Sequence, residues 1–186
     1  DVQIIFSTAK AFAALKGDGS VVTWGDSMIG GDSSSVADQL SMGVLTVFSN
    51  VYAFAALKEG GEVVTWGWSS NGGDSSSVGD LVSDGVQTIY SSAEAFAALK
   101  EDGSVVTWGN SDTGGDSSLV AHLLSSDVDT VFSNETAFAA LKNDGSVLTW
   151  GDSDRGGDSS LVADLLESNV QTIFSNVYAF AALKYD

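Results

Sequence analysis

Acidic oxygens spaced along glycine-rich stretches are the groups in this chain best suited to chemistry. Asp152-Ser153-Asp154-Arg155-Gly156-Gly157-Asp158 sets side-chain oxygens at alternate positions ahead of a glycine turn, and Asn110-Ser111-Asp112-Thr113-Gly114-Gly115-Asp116 repeats the arrangement. A hard cation of high coordination number takes oxygen ligands in such an order, so Asp152, Asp154, Asp158, Asn110, Asp112 and Asp116 are candidate calcium ligands. The stretch from 26 to 32 keeps only Asp26 and Asp32, that from 68 to 74 has Trp68 and Asn71, and Arg155 lies inside its own loop. Asx turns at a strand end are the competing and favoured reading.

No set of residues for catalysis stands out, and the sequence reads as that of a non-enzyme. His122 is the one histidine and occupies a position filled elsewhere by Asp38, Asp80 and Asp164. Ser33, Ser75, Ser117 and Ser159 recur without a nearby base, as capping residues do. Gly-Gly-Asp puts a carboxylate where a phosphate loop needs bare N–H groups. Calcium is therefore the one cofactor the sequence suggests.

The chain carries 25 acidic residues against 7 basic ones, a formal charge of −18. That sign disfavours nucleic acid and anionic lipid, and no apolar run is long enough to insert in a membrane. Protein, or a second copy of the chain, is the partner class left. An acidic surface serves solubility and suits an extracellular or cell-surface setting. Without cysteine there are no disulfides, and without proline the turns fall to glycine, asparagine and aspartate. Five of the seven basic residues are one repeated lysine, Lys16, Lys58, Lys100, Lys142 and Lys184. A ladder pairing them with Asp32, Asp74, Asp116 and Asp158 of adjacent units is the expectation.

These residues recur because the whole of 1–186 is one repeat array. Units 2–43, 44–85, 86–127 and 128–169 align without a gap, and 170–186 begins a fifth. The chain opens inside a repeat at Asp1-Val2-Gln3, as a cropped or processed chain would. Each unit starts with a β-branched run such as Val86-Gln87-Thr88-Ile89-Tyr90, which reads as a strand. Ala-Phe-Ala-Ala-Leu-Lys follows in all five units; it is short and apolar on both faces, as a strand buried on both sides would be. Asp-Gly pairs at 18–19, 102–103 and 144–145, with Gly60-Gly61 in unit two, predict a hairpin to the Val-Val-Thr-Trp-Gly strand. The last stretch, as in Ser159–Leu166, predicts a short capped helix. Aromatic residues hold fixed places, so Phe12, Trp24, Phe54, Trp66, Phe96, Trp108, Phe138, Trp150 and Phe180 are expected in a core shared between stacked units.

The order of an AFAALK-x-DG hairpin, a VVTWG strand, a Gly-rich loop and a V-x-x-L segment resembles the repeat of the regulator of chromosome condensation family along the whole chain. The resemblance implies an all-β array of propeller blades, here with three to four strands and a short helical turn per unit. Two departures stand out: the unit is short for that family, and Gly-Gly-Asp replaces its usual Gly-Gln-Leu-Gly. The founding member's nucleotide exchange uses an inserted wedge and basic surfaces; neither an insertion nor a basic surface is present, so that activity is not carried over. Residues 170–184 repeat the strands of 2–16 rather than completing them. An open β-solenoid completed head-to-tail by another copy, as in an extracellular filament, is the alternative architecture.

Two places vary between units while the frame stays fixed. One is the tip after the first strand, with Asn50, Val51, Tyr52, Glu94 and Glu135; the other follows the tryptophan, with Trp68 and Arg155. Variable loops on a rigid scaffold are where partners are met, so these seven are candidate interaction residues. Asn134-Glu135-Thr136 is also a glycosylation sequon, with Asn134 its acceptor.

Overall fold

The computed structural model describes residues 1–185. Its strands are β1 (Val2–Ser7), β2 (Ala11–Lys16), β3 (Val21–Gly25), β4 (Val44–Ser49), β5 (Ala53–Lys58), β6 (Val63–Gly67), β7 (Val86–Ser91), β8 (Ala95–Lys100), β9 (Val105–Gly109), β10 (Val128–Ser133), β11 (Ala137–Lys142), β12 (Val147–Gly151), β13 (Val170–Ser175) and β14 (Phe180–Lys184). They form four three-stranded antiparallel meanders and one two-stranded sheet.

Alanine-rich β2 and its copies are strands, not helix, because each is held in register on both sides. Phe12 pairs with Ser7 on β1 and with Trp24 on β3, and the copies repeat this. The turn to the third strand is a three-residue loop: Lys16 N–H donates to Ser20 O at 2.9 Å and Gly19, at φ +75°, donates back to Lys16 O at 3.0 Å. Asp18 keeps negative φ, so this is a type I turn closed by a left-handed glycine, not a two-residue type I′ turn.

The sheets of units two to four bury both faces, one on the unit before and one on the unit after. Ala11, Ala13 and Leu15 of unit one meet Val44, Val47, Phe54, Ala56 and Trp66 of unit two, with Ile29 and Leu40 wedged between. The same set recurs at the next two joints. First strands lie side by side from unit to unit, β1 on β4 and β4 on β7, while the loop after each third strand packs on the third strand of the next unit. The sheets therefore fan out from one edge, as propeller blades do. Phe54, Phe96 and Phe138 are wholly buried, whereas Phe12 and Trp24, read from sequence as core, are each 44% exposed because no sheet of this chain lies on that face. Phe180 is half-buried.

Each complete unit has three strands, within the three to four expected, and the short capped helix takes the form of a 3₁₀ turn, as at Ser76–Leu81 and Ser160–Leu165. Six residues are too few to repay α-helix nucleation, and neither Ser75 nor Ser159 caps with its side chain. The segment ends instead by returning to the outer strand: Val21 N–H donates to Leu40 O, and Val63, Val105 and Val147 repeat the bond.

One contact recurs at every joint between complete units. Trp66 Nε1 donates to Gly30 O, Trp108 Nε1 to Gly72 O and Trp150 Nε1 to Gly114 O, each at 3.1 Å. The phenylalanine stacked on each tryptophan, 5.1–5.4 Å between ring centroids, lies on that glycine. Gly72 has φ +98°, and a Cβ there would fall 2.5 Å from Phe96. Gly72→Ala is therefore expected to destabilise the array by about 2–3 kcal/mol, from backbone strain together with overpacking. Trp108→Phe, which leaves a buried carbonyl unpaired, is expected to cost about 1–3 kcal/mol. Urea unfolding followed by tryptophan fluorescence measures both.

Candidate functional site

The acidic residues do their work locally. Asp152 Oδ1 accepts from Asp154 N–H, Asn110 Oδ1 from Asp112 N–H, Asp158 Oδ1 from Ser160 N–H and Asp116 Oδ1 from Ser118 N–H, at 2.8–2.9 Å. Asp152 and Asn110 each open a three-residue 3₁₀ turn this way. Among the described residues no three His, Cys, Asp or Glu side chains converge as a metal cage. Of the six candidate calcium ligands Asp152, Asp154, Asp158, Asn110, Asp112 and Asp116, four, namely Asp152, Asp158, Asn110 and Asp116, serve in this structure as the acceptors of Asx turns. Alternate spacing in a tight turn points the oxygens at backbone N–H groups rather than at one another.

These bonds hold the carboxyls of Asp32, Asp74, Asp116 and Asp158 below the usual carboxylate range, chiefly through the backbone N–H two residues on. Asp18, Asp102 and Asp144 are lowered first by the hydroxyls of Ser20, Ser104 and Ser146.

The lysine ladder forms differently from the expectation. Lys100, Lys142 and Lys184 reach back to the preceding unit and donate to Leu81 O, Leu123 O and Leu165 O at 2.6–3.0 Å. The ion pairs of the lysine row are Lys16–Asp18, Lys58–Glu62 and Lys100–Asp84. Asp32 and its copies lie out of reach because they follow the far end of the third strand, opposite the hairpin at which the lysines sit.

At the tips, the first variable residue is a strut. Asn50 is buried; its Oδ1 accepts from Tyr52 and Ala53 N–H at 2.8 Å, and its Nδ2 donates to Asn71 O at 2.7 Å. Asn134 repeats this with Thr136, Ala137 and Arg155. Ser92 and Thr8 do the same with hydroxyls. The Asn134 amide nitrogen, expected to accept a glycan, is thus turned inward and bonded, and a sugar there would displace that bond. Backbone bonds join the tips in series: Ala9 N–H to Val51 O, Val51 N–H to Ala93 O and Ala93 N–H to Glu135 O, at 2.8–3.1 Å.

Most informative is that the two variable segments meet. Tyr52 packs edge-on against Trp68 at 5.8 Å, and Asn110 Nδ2 donates to Glu94 Oε2 at 2.6 Å. Arg155 faces Glu135 and Asp152, and its guanidinium covers the ring of Tyr178, in the tip of unit five, at 5.0 Å. Units two to four thereby carry one composite patch each, aromatic in unit two, polar in unit three and charged in unit four. Val51 and Trp68 are exposed. In the sequence the two segments stand apart. The signal that they meet is the chemical match of Tyr52 with Trp68 and of Glu94 with Asn110 at one spacing.

No family model and no curated protein matches the chain. Solved structures do. Human WBSCR16 superposes with TM-score 0.60 at 16% identity, over 98% of this chain and 59% of that one. Prp20p from Saccharomyces cerevisiae gives 0.57 at 17%, over 100% and 50%. The ectodomain of the Physcomitrella patens receptor kinase CR4 gives 0.56 at 16%, over 98% and 47%. The chain spans about half the length of these proteins. The likeness is one of fold, an all-β array of the propeller-repeat type found in yeast RCC1.

Carboxyls lowered in the fold contribute stability that is complete above their unfolded value and is lost as pH falls through the folded one. Thermal stability should therefore decline below about pH 4. Asp116→Asn, which keeps the acceptor, should flatten that decline slightly and leave the neutral-pH midpoint nearly unchanged. Asp116→Ala should lower the midpoint by on the order of 2 °C at neutral pH. Circular dichroism melts across pH 2–7 measure both.

Proposed function

We propose that the chain is a non-enzymatic interaction scaffold whose contact surface is the row of composite patches formed by the tips and the post-tryptophan turns. The observation that carries this reading is the convergence of both variable segments in units two, three and four. They meet on a backbone fixed by unit-to-unit bonds, so chemistry changes from patch to patch while spacing does not. Asx turns and caps occupy the polar groups that catalysis would need. Prp20p, of the same fold type, is described as binding Gsp1p and histones. A protein partner fits the acidic surface here, and that surface suits an extracellular or cell-surface setting.

A photo-crosslinking residue at Trp68 should capture partner proteins from an extract of the native source, and unlabelled wild-type chain should compete. The same probe at Asp102, on the hairpins, should capture little. Equal capture at both sites would overturn the assignment of the surface.

Self-association is the second reading, and one observation favours it. Val2, Ile5, Phe12, Val22 and Trp24 are exposed, and their counterparts Val44, Val47, Phe54, Val64 and Trp66 are what unit two buries against unit one. A unit that covers this face belongs either to the same polypeptide or to a second copy, and a second copy would build the head-to-tail assembly. Sedimentation of residues 1–186 should then show concentration-dependent oligomers that Trp24→Glu abolishes. A monomer at all concentrations would remove this reading and leave the row of patches untouched.

A further inference from the structure

The outer strand of unit four forms the floor of a groove of about 900 Å³. All of Ser146–Gly151 lines it, flanked by the loop of unit three from Ser111 to Val120 and that of unit four from Ser153 to Glu167. β12 is the edge of its sheet, paired with β11 alone. In the hairpin, Lys142 and Ser146 form a hydrogen-bonded pair, so by the alternation of an antiparallel ladder Val147 and Thr149 turn their peptide groups away from β11. Val147 N–H confirms the direction, since it donates outward to Leu166 O. The Val147 carbonyl and the Thr149 N–H and carbonyl therefore face the groove, a short row of main-chain groups of the kind an extended segment pairs with.

Two features of the groove say what kind of segment fits. Asp112, Asp116, Asp158 and Glu167 line it, with no lysine or arginine among the lining residues. Leu119 stands at its wall, 93% exposed, where units one and two carry Ser35 and Ser77. We infer that this groove binds an extended, cationic segment of a partner protein, with apolar residues between its basic ones, which adds to β12 as a fourth strand. Main-chain bonds to Thr149 supply register, the carboxylates select positive charge, and Leu119 meets the apolar side chains. The groove borders the post-tryptophan turns of units three and four at Ser111, Asp112 and Ser153, but its floor, β12, and Leu119 lie outside the composite patches, so loss of binding in L119S tests the groove and not the patches.

The test uses a short fluorescein-labelled peptide alternating lysine and valine, titrated against the whole chain by fluorescence anisotropy at low salt. Two copies are compared, one N-methylated at every lysine and the other at every valine. In a strand these two sets of N–H groups lie on opposite edges. One methylated copy should bind about tenfold more weakly or worse, and the other as well as the parent, since losing one or two main-chain bonds corresponds to that factor. L119S, which installs the residue of units one and two, should weaken the parent peptide about threefold or more, whereas W68A should leave it unchanged. Equal binding of the two methylated copies, no saturable binding, or full affinity in L119S would overturn the proposal.

Discussion

A tryptophan N–H bonded to a glycine carbonyl of the preceding unit, with a phenylalanine ring on that same glycine, is the constraint on which the array rests. The tryptophan ends one sheet's third strand, and the glycine ends the turn that follows the previous sheet's third strand. The bond therefore ties each blade to its neighbour's loop rather than to its neighbour's sheet. Burial of both sheet faces, the positions of Leu40, Val82 and Leu124 in the wedges, and the fanned arrangement follow from holding that loop between the blades. Glycine is needed because backbone of left-handed φ must approach an aromatic ring with no atom between.

Much of this is legible in the amino-acid sequence. Phenylalanine and tryptophan recur at fixed positions because each joint is a copy of the last. A strand of alanines overrides helix propensity because its length and its hairpin leave it no alternative. Less legible is how backbone groups are satisfied. The alternate oxygens of Asp152 to Asp158 look alike whether they surround an ion or cap their own turn; what distinguishes the two is the direction of N–H vectors, which composition does not carry. Asn50, Ser92, Asn134 and Thr8 differ in name and so read as drift. They share one task, accepting from the start of the second strand while donating across to the post-tryptophan turn. Equivalence of amide and hydroxyl in that task hides a fixed position inside a variable one.

The distribution of charge follows the same division of labour. Aspartates sit in turns where a carboxylate serves as a hydrogen-bond acceptor, and lysines sit where three of them reach the Leu81, Leu123 and Leu165 carbonyls of the preceding unit's last turn. Most members of each set are satisfied without the other, with Lys16–Asp18 and Lys100–Asp84 as the lysine–aspartate pairs. Exposed ion pairs contribute at most about 1 kcal/mol each, and the joints are held chiefly by aromatic and aliphatic burial.

The serial bonds between tips run from one backbone to the next and ask nothing of the side chains there. A gene that duplicated or lost one unit would present the same backbone groups at the new joint as at the old. Array length can then change by whole units in a single recombination event, with no compensating substitution, and each added blade can acquire its own surface chemistry afterwards.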